Sequence, residues 1–249
     1  MSLPDALVDA LASARHVLAL TGSGASAESG VPTFREAQTG LWSQYEPTQL
    51  ATPEAFAQDP ALIWRWYRWR RELVQAAEPN PGHVALARLH SLVDTMTLVT
   101  QNVDGLHQRA GSPDVVEYHG NLFANRCHEG SCDTNGADLE AEVPACPQCG
   151  GRLRPGVVWF GEAIPDGARE RADAAAADCD VFLSIGTSSL VWPAAGLADI
   201  ASTHGAVVVE INPDATPQTS RSHYSLRARA GELLPELVDS LARRKRSDT

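Results

Sequence analysis

The sequence has no apolar run long enough to cross a bilayer. Its longest, such as His16–Leu20 and Val207–Val209, fall far short of the roughly 20 residues that a spanning helix needs. Aromatic side chains are scarce, at 6% of the chain, and so is positive charge: 20 Lys and Arg face 31 Asp and Glu, a net −11. That deficit excludes general binding to nucleic acid, whose phosphates it would repel, and favours cationic partners such as Lys-rich protein segments. The first residues, Met1–Asp5, lack the basic stretch of a signal peptide. A soluble, cytoplasmic protein with no membrane partner is the expectation. There is no internal repeat and no low-complexity segment. With 43% hydrophobic residues in 249, the chain can bury a sizeable core, so a disordered chain and a disulfide mini-scaffold are both excluded.

What is present alternates. Strand candidates are His16–Leu20, Thr97–Thr100, Val115–Tyr118, Val157–Phe160, Val181–Ile185 and Ala206–Ile211, most of them continuously apolar, as in parallel strands covered on both faces. Helical patterns lie between them at 3–14, 60–77, 83–93, 103–110, 167–177, 193–203 and 232–243. The alternation predicts an α/β fold, a doubly wound Rossmann-like parallel sheet. Two stretches interrupt it: 37–94 reads as helical, and 121–154 is rich in Cys, Gly and Pro. They are expected to form a second, smaller helical and zinc-binding domain, beside a nucleotide-binding domain of residues 1–36, 95–120 and 155–249. The basic run Arg243–Arg246 reads as cations at a helix C-terminus followed by a frayed end.

Three patterns carry chemistry. After the first strand, Gly22, Gly24 and Ala27 fit the G-x-G-x-x-G/A spacing of dinucleotide folds, in which a tight turn and a helix N-terminus face a pyrophosphate. No second strand ending in an acidic ribose ligand follows, which argues against hydride transfer. The chain runs instead into Gly30–Arg35, where Phe34 and Arg35 on a Pro-stiffened loop suit a lid over a nucleotide. Gln101, Asn102 and Asp104 follow the strand Thr97–Thr100, and His119 follows Val115–Tyr118. Strand C-terminal ends are where α/β sheets bind ligands, although Asn102 or Asp104 could equally cap a helix. Finally, Cys127-x4-Cys132-x13-Cys146-x2-Cys149 offers four thiolates at zinc spacing. All four positions are filled by protein, which indicates one structural ion rather than a catalytic one. His128 is an unneeded alternative ligand, and Cys179 reads as a buried bystander.

Taken in order, Gly22–Arg35, Thr100–Asp104, His119–Gly120, the cysteine cluster, Gly186–Ser188 and Ile211–Pro213 resemble the sirtuins, the silent-information-regulator family of NAD-dependent protein-lysine deacylases. The likeness spans roughly residues 15–235. Ser23 and Ala25 depart from the family's usual Ala and Ile, which adds a hydroxyl and a little room. The resemblance implies that NAD is bound by Gly22, Ser23, Gly24, Ser26, Glu28, Phe34, Arg35, Gln101, Asn102, Val103, Asp104, Gly186, Thr187, Ser188, Asn212, Pro213, Asp214 and Ala230. Asn102 and Asp104 would hold the nicotinamide–ribose end, and His119 would be the general base. In the implied reaction the acyl-lysine oxygen attacks C1′ of the nicotinamide ribose and nicotinamide leaves. His119 then takes a proton from the ribose hydroxyls, and the acyl group ends on ADP-ribose. NAD is consumed, not reduced.

The resemblance also places the substrate. Arg154–Glu162 matches the family segment to which a substrate peptide adds as a β-strand, with Val158, Trp159 and Phe160 at the acyl-lysine tunnel. Tyr67 and Arg70, three apart on one helix face, match the pair that grips succinyl or malonyl carboxylates in the class typified by human sirtuin 5 and bacterial CobB proteins. Ala51 there leaves room for a longer acyl group. Deacetylase, desuccinylase and demalonylase activities are therefore expected, in a monomer. A mono-ADP-ribosyltransferase and a non-catalytic NAD- or zinc-dependent binding module remain as alternatives.

Overall fold

The computed structural model describes residues 3–32 and 45–247. Its strands are β1 (His16–Thr21), β2 (Thr95–Thr100), β3 (Val116–Glu117), β4 (Gly120–Cys127), β5 (Leu153–Val157), β6 (Val181–Ile185), β7 (Val207–Ile211) and β8 (Tyr224–Leu226). The helices are α1 (Asp5–Ser13), α2 (Pro47–Leu50), α3 (Pro53–Gln58), α4 (Pro60–Ala76), α5 (Pro81–His90), α6 (Leu106–Arg109), α7 (Asp166–Asp178), α8 (Leu197–Thr203) and α9 (Ala230–Ser247).

Six strands form one parallel sheet in the order β3-β2-β1-β6-β7-β8. Alternation along the central strands explains why apolar residues fall on both of their faces. On β1, Val17 and Ala19 face a core supplied by α1, α5 and α9, including Leu11, Leu86 and Leu237. Leu18 and Leu20 face the opposite core, to which α7 and α8 bring Ala172, Ala176 and Leu197. This is the doubly wound sheet that the sequence predicts. A third core belongs to the smaller unit: α2, α3 and α4 pack Leu50, Phe56, Ile63, Trp64 and Trp66 against Leu122 and Leu153 of the antiparallel pair β4–β5. The Trp64 indole donates to the Leu153 carbonyl at 2.9 Å. Asp59 caps α4 by accepting from Leu62 N at 2.8 Å, and Pro60 supplies its first turn.

Several elements differ from expectation. The strand placed at Val157–Phe160 is β5, Leu153–Val157, and ends where Trp159 N–H turns aside to the Glu162 carboxylate. The helix expected at 103–110 shrinks to α6, because Gly105 sits at φ +70 and Asp104 caps the Leu106 N–H. The basic run Arg243–Arg246 does lie at the C-terminal end of a helix, α9, as expected, and Arg244 pairs with Asp9 of α1; the end beyond Ser247 lies outside the described residues. All but one of the 20 cationic side chains are arginine, the exception being Lys245. Among the described residues no helix is long and apolar enough to cross a membrane.

The winding reverses at β1, which has β2 on one side and β6 on the other, so the turns after these strands meet. Gly22 N donates to Ile185 O at 3.0 Å and Gly24 N to Gly186 O at 2.8 Å. Gly186 is left-handed, at φ +58, and a Cβ there would lie 2.3 Å from Ala25 N. Gly186→Ala combines left-handed strain of about 1–3 kcal/mol with overpacking of about 1–3 kcal/mol. Thermal unfolding should show its Tm lowered by roughly 5–20 °C.

Candidate active site

At this reversal point a cleft of about 870 Å³ opens along the C-terminal ends of β1, β2, β6 and β7. Gly22, Ser23, Gly24, Ser26 and Glu28 line it from the turn after β1, and Gln101, Asn102, Val103 and Asp104 from the turn after β2. Gly186, Thr187 and Ser188 follow β6; Asn212, Pro213 and Asp214 follow β7; Ala230 opens α9. His119, Ala51, Tyr67, Arg70, Val158, Trp159 and Phe160 complete the wall. The structure thus gathers every described candidate residue for nucleotide and substrate in one cleft. Phe34 and Arg35 lie outside the described residues.

The turn after β1 is not followed by an α-helix. Two 3₁₀ turns, Ser23–Ala25 and Ala27–Ser29, occupy the place where a helix N-terminus was expected. The cause lies far along the chain. Asn102 Nδ2 donates to the Gly22 carbonyl at 3.0 Å, and Asn80 Nδ2 to the Ala25 carbonyl at 2.8 Å, satisfying acceptors that a continuing helix would use. An anion held here would rest on the backbone of the glycine turn rather than on a helix dipole. The Glu28 carboxylate is engaged with the α9 N-terminus, accepting from Gly231 N at 2.7 Å.

Ser26 is the hub of the polar floor. Its hydroxyl donates to Asp104 at 2.7 Å and accepts from Asn102 Nδ2 at 2.9 Å. With that hydrogen spent on Asp104, the His83 Nε2–H at 3.3 Å must be a donor to Ser26. His83 Nδ1 accepts from Asn80 N at 3.2 Å, so the ring is neutral, and burial lowers its pKa. His107 lies edge-on to His83, with its Nε2 2.9 Å from the Thr21 hydroxyl. Burial presses the His107 pKa down to about 3. Sequence reasoning passed over both histidines. The signal for His83 was local: Asn80-Pro81-Gly82-His83 forms a capping box at the start of α5.

His119 stands on the cleft wall just past β3. Its Nδ1 is 3.1 Å from the Gln101 carbonyl. A carbonyl only accepts, so Nδ1 carries the hydrogen and Nε2 keeps its lone pair. Burial lowers the His119 pKa, partly opposed by this hydrogen bond, and favours the neutral, basic form. Gln101 is fixed in turn by its bond to the Thr187 hydroxyl at 3.0 Å.

The four cysteines of the smaller unit are unlinked thiols whose sulfurs all lie within 4.8 Å of one another. The Cys127 and Cys149 sulfurs are 3.6 Å apart. Tetrahedral zinc–thiolate bonds of about 2.3 Å require sulfurs roughly 3.8 Å apart, so the donor set fits zinc. His128 is not in the cluster; its ring packs on Phe56 at 5.0 Å. Cys179, at the C-cap of α7, is buried, and its thiol is pushed up to about 12.

Residues 22–193 match the model of the Sir2 family. The chain belongs to that family. It is 50% identical over 244 residues to NAD-dependent protein deacylase 1 of Pseudomonas aeruginosa, covering 94% of this chain and 97% of that one. The fold superposes with a TM-score of 0.91 on a crystal structure of a Sir2 homologue in complex with NAD, at 44% identity, covering 97% and 95% of the two chains. A Sir2 protein with a deacetylated p53 peptide and 3′-O-acetyl-ADP-ribose is similar at 30% identity and a TM-score of 0.82, covering 94% and 97%.

In this Sir2 chain the cysteine cluster shares its core with the cleft wall, since Cys127, Cys146, Tyr67 and Trp159 belong to one buried group. Purified protein should therefore carry one zinc per chain, and chelation should unfold the smaller unit, read as a metal stoichiometry and a shift in Trp fluorescence. Metal analysis without zinc, or a Cys127–Cys132 disulfide in reduced preparations, would contradict this.

Proposed function

We propose that this protein is an NAD-dependent protein-lysine deacylase that transfers the acyl group to ADP-ribose and releases nicotinamide. One observation carries the reading: Asn102, Asp104 and Ser26 interlock on the floor of a cleft whose wall presents the lone pair of His119, in a Sir2 chain. Residues 1–36, 95–120 and 155–249 hold NAD, while 37–94 and 121–154 complete the substrate side and hold the zinc. The backbone of Gly22–Gly24 and Gly186–Ser188 receives the phosphates, and Asn212–Asp214 with Ala230 receive the adenosine end. Gln101, Asn102, Val103 and Asp104 take the nicotinamide ribose, and His119 Nε2 accepts a ribose hydroxyl proton. Phe34 and Arg35 remain candidates by sequence alone.

The acyl-lysine side chain enters beside Val158, Trp159 and Phe160. The N–H groups of Val158, Trp159 and Phe160 already donate to His119 O, Glu162 and Ala51 O. A peptide added as a strand along this segment would therefore pair through its other backbone groups. Tyr67 and Arg70 support acceptance of succinyl and malonyl groups as well as acetyl. The Arg70 guanidinium carbon lies 5.7 Å from the Tyr67 ring centroid, and burial pulls the Arg70 pKa down, partly opposed by Tyr67 and Asp104. A half-buried cation at the cleft wall gains from an incoming carboxylate. The Tyr67 pKa is raised by burial, which keeps the phenol neutral and able to donate. A cleft whose described lining comes from one chain supports a monomer, and five cysteines without a disulfide support a reducing compartment such as the cytoplasm.

Mass spectrometry of acyl-lysine peptides incubated with enzyme and NAD tests the reading. Acyl-ADP-ribose is the expected product, and ADP-ribosylated protein instead would favour the transferase alternative. His119→Ala should lower turnover about 10²–10⁴-fold while NAD still binds. Near-full activity would remove His119 from the role. Because the base must be neutral and its pKa is lowered, kcat/KM should hold its plateau below about pH 6.5 before falling on the acid side. Arg70→Met should cost about 10–100-fold in kcat/KM on a succinyl peptide and little on its acetyl twin. Tyr67→Phe should do the same more weakly. Equal losses on both peptides would reduce the activity to plain deacetylation.

A further inference from the structure

Tyr67 has one hydroxyl hydrogen to give, and its surroundings restrict where that hydrogen can go. The Trp159 indole nitrogen lies 2.8 Å from the Tyr67 oxygen. An indole N–H only donates, so the phenol is the acceptor in this bond and its own hydrogen must point elsewhere. No acceptor for that hydrogen lies among the described residues. The ring is 1% exposed and the residue lines the cleft beside Arg70 and Ala51, so an occupant of the cleft can supply the acceptor.

The indole is itself held on several sides. Its backbone N–H donates to Glu162 at 2.8 Å, and the Arg154 guanidinium carbon lies 3.2 Å from its ring centroid. Arg154 is fixed by two bonds to Glu162, at 2.6 and 2.8 Å, and by one to the Val157 carbonyl at 3.1 Å. The Phe56 ring closes another side at 5.3 Å, and the next residue, Phe160, is anchored by its N–H to Ala51 O at 2.9 Å. The donor therefore cannot swing away from the phenol without breaking a buried charged network.

We propose that Trp159 is a specificity-positioning residue: by donating to the Tyr67 oxygen, it turns the phenol into a fixed hydrogen-bond donor aimed into the acyl pocket. Together with Arg70 this prepares a two-point grip for the carboxylate of an acidic acyl group. The inference rests on the acidic-acyl reading above. A donor set before the ligand arrives loses little freedom on binding, so the contact contributes nearly its full strength. An acetyl methyl has no acceptor to offer and gains nothing from it.

The test compares kcat/KM on succinyl- and acetyl-lysine peptides of one sequence. Trp159→Phe keeps an aromatic ring and removes the N–H. Replacing the indole by benzothiophene through benzothienylalanine at 159 removes the N–H at nearly constant volume, and covers a Trp159→Phe protein that folds poorly. Both should lower the succinyl-to-acetyl ratio about threefold to tenfold, with the loss carried by KM for the succinyl peptide. In a Tyr67→Phe background the same changes should leave that ratio where Tyr67→Phe alone puts it. Equal losses on the two peptides, or an excess succinyl loss that survives in the Tyr67→Phe background, would overturn the inference while the acidic-acyl reading stands. An unsubstituted enzyme that leaves succinyl-lysine untouched would overturn that reading, and this inference with it.

Discussion

Backbone contact between the turns after β1 and β6 decides where the rest of the site can be built. Gly24 N meets Gly186 O at 2.8 Å, with no room for a Cβ on either glycine. The contact pins the point where the sheet's winding reverses, and the loops on either side diverge from it to leave the cleft. Gly186 N is also tied to Ile211 O at 2.9 Å, and Gln101 N to Thr21 O at 2.9 Å, so four strand ends are laced into one rim. From that rim Asn102 reaches both the Gly22 carbonyl and Ser26.

The parts of this molecule that could be read from the sequence are those whose cause is local. β1, β6 and β7 are continuous apolar runs because both faces are covered, and each is found within a residue or so of its expected bounds. β4 was not legible, since Asn121, Asn125 and Arg126 give it the composition of a loop. β8, Tyr224–Leu226, is too short to show a pattern. The 3₁₀ turns after β1 were hidden for a different reason: the amides that claim their carbonyls come from Asn80 and Asn102, 55 and 80 residues away. In the candidate site, motif residues announced themselves through their place at strand ends. Their supports did not, because Ser26–His83 and Tyr67–Trp159 are pairings that only the tertiary fold creates.

The smaller unit joins metal and acyl pocket through one core. Trp64 reaches from α4 to the Leu153 carbonyl, the same helix carries Tyr67 and Arg70 to the cleft, and Cys127 and Cys146 close the far side. Around Glu162, Arg154 and Arg126 balance the carboxylate, whose pKa they hold down against the opposing effect of burial. The cleft wall thus stands on the same core as the cysteine cluster.

Nearly all the positive charge in this protein sits on guanidinium groups, with Lys245 near the end of α9 as the sole lysine. Arginine forms forked pairs with carboxylates and stacks on the indoles of α4, which suits the ion pairs and ring contacts seen here. It is also inert toward reactive acyl donors under conditions in which a lysine amine is not. A protein that meets acylated chains for its living therefore offers such donors a single side-chain amine of its own. The ion pairs and charge balance of the fold thus rest almost wholly on groups that lysine acylation does not touch.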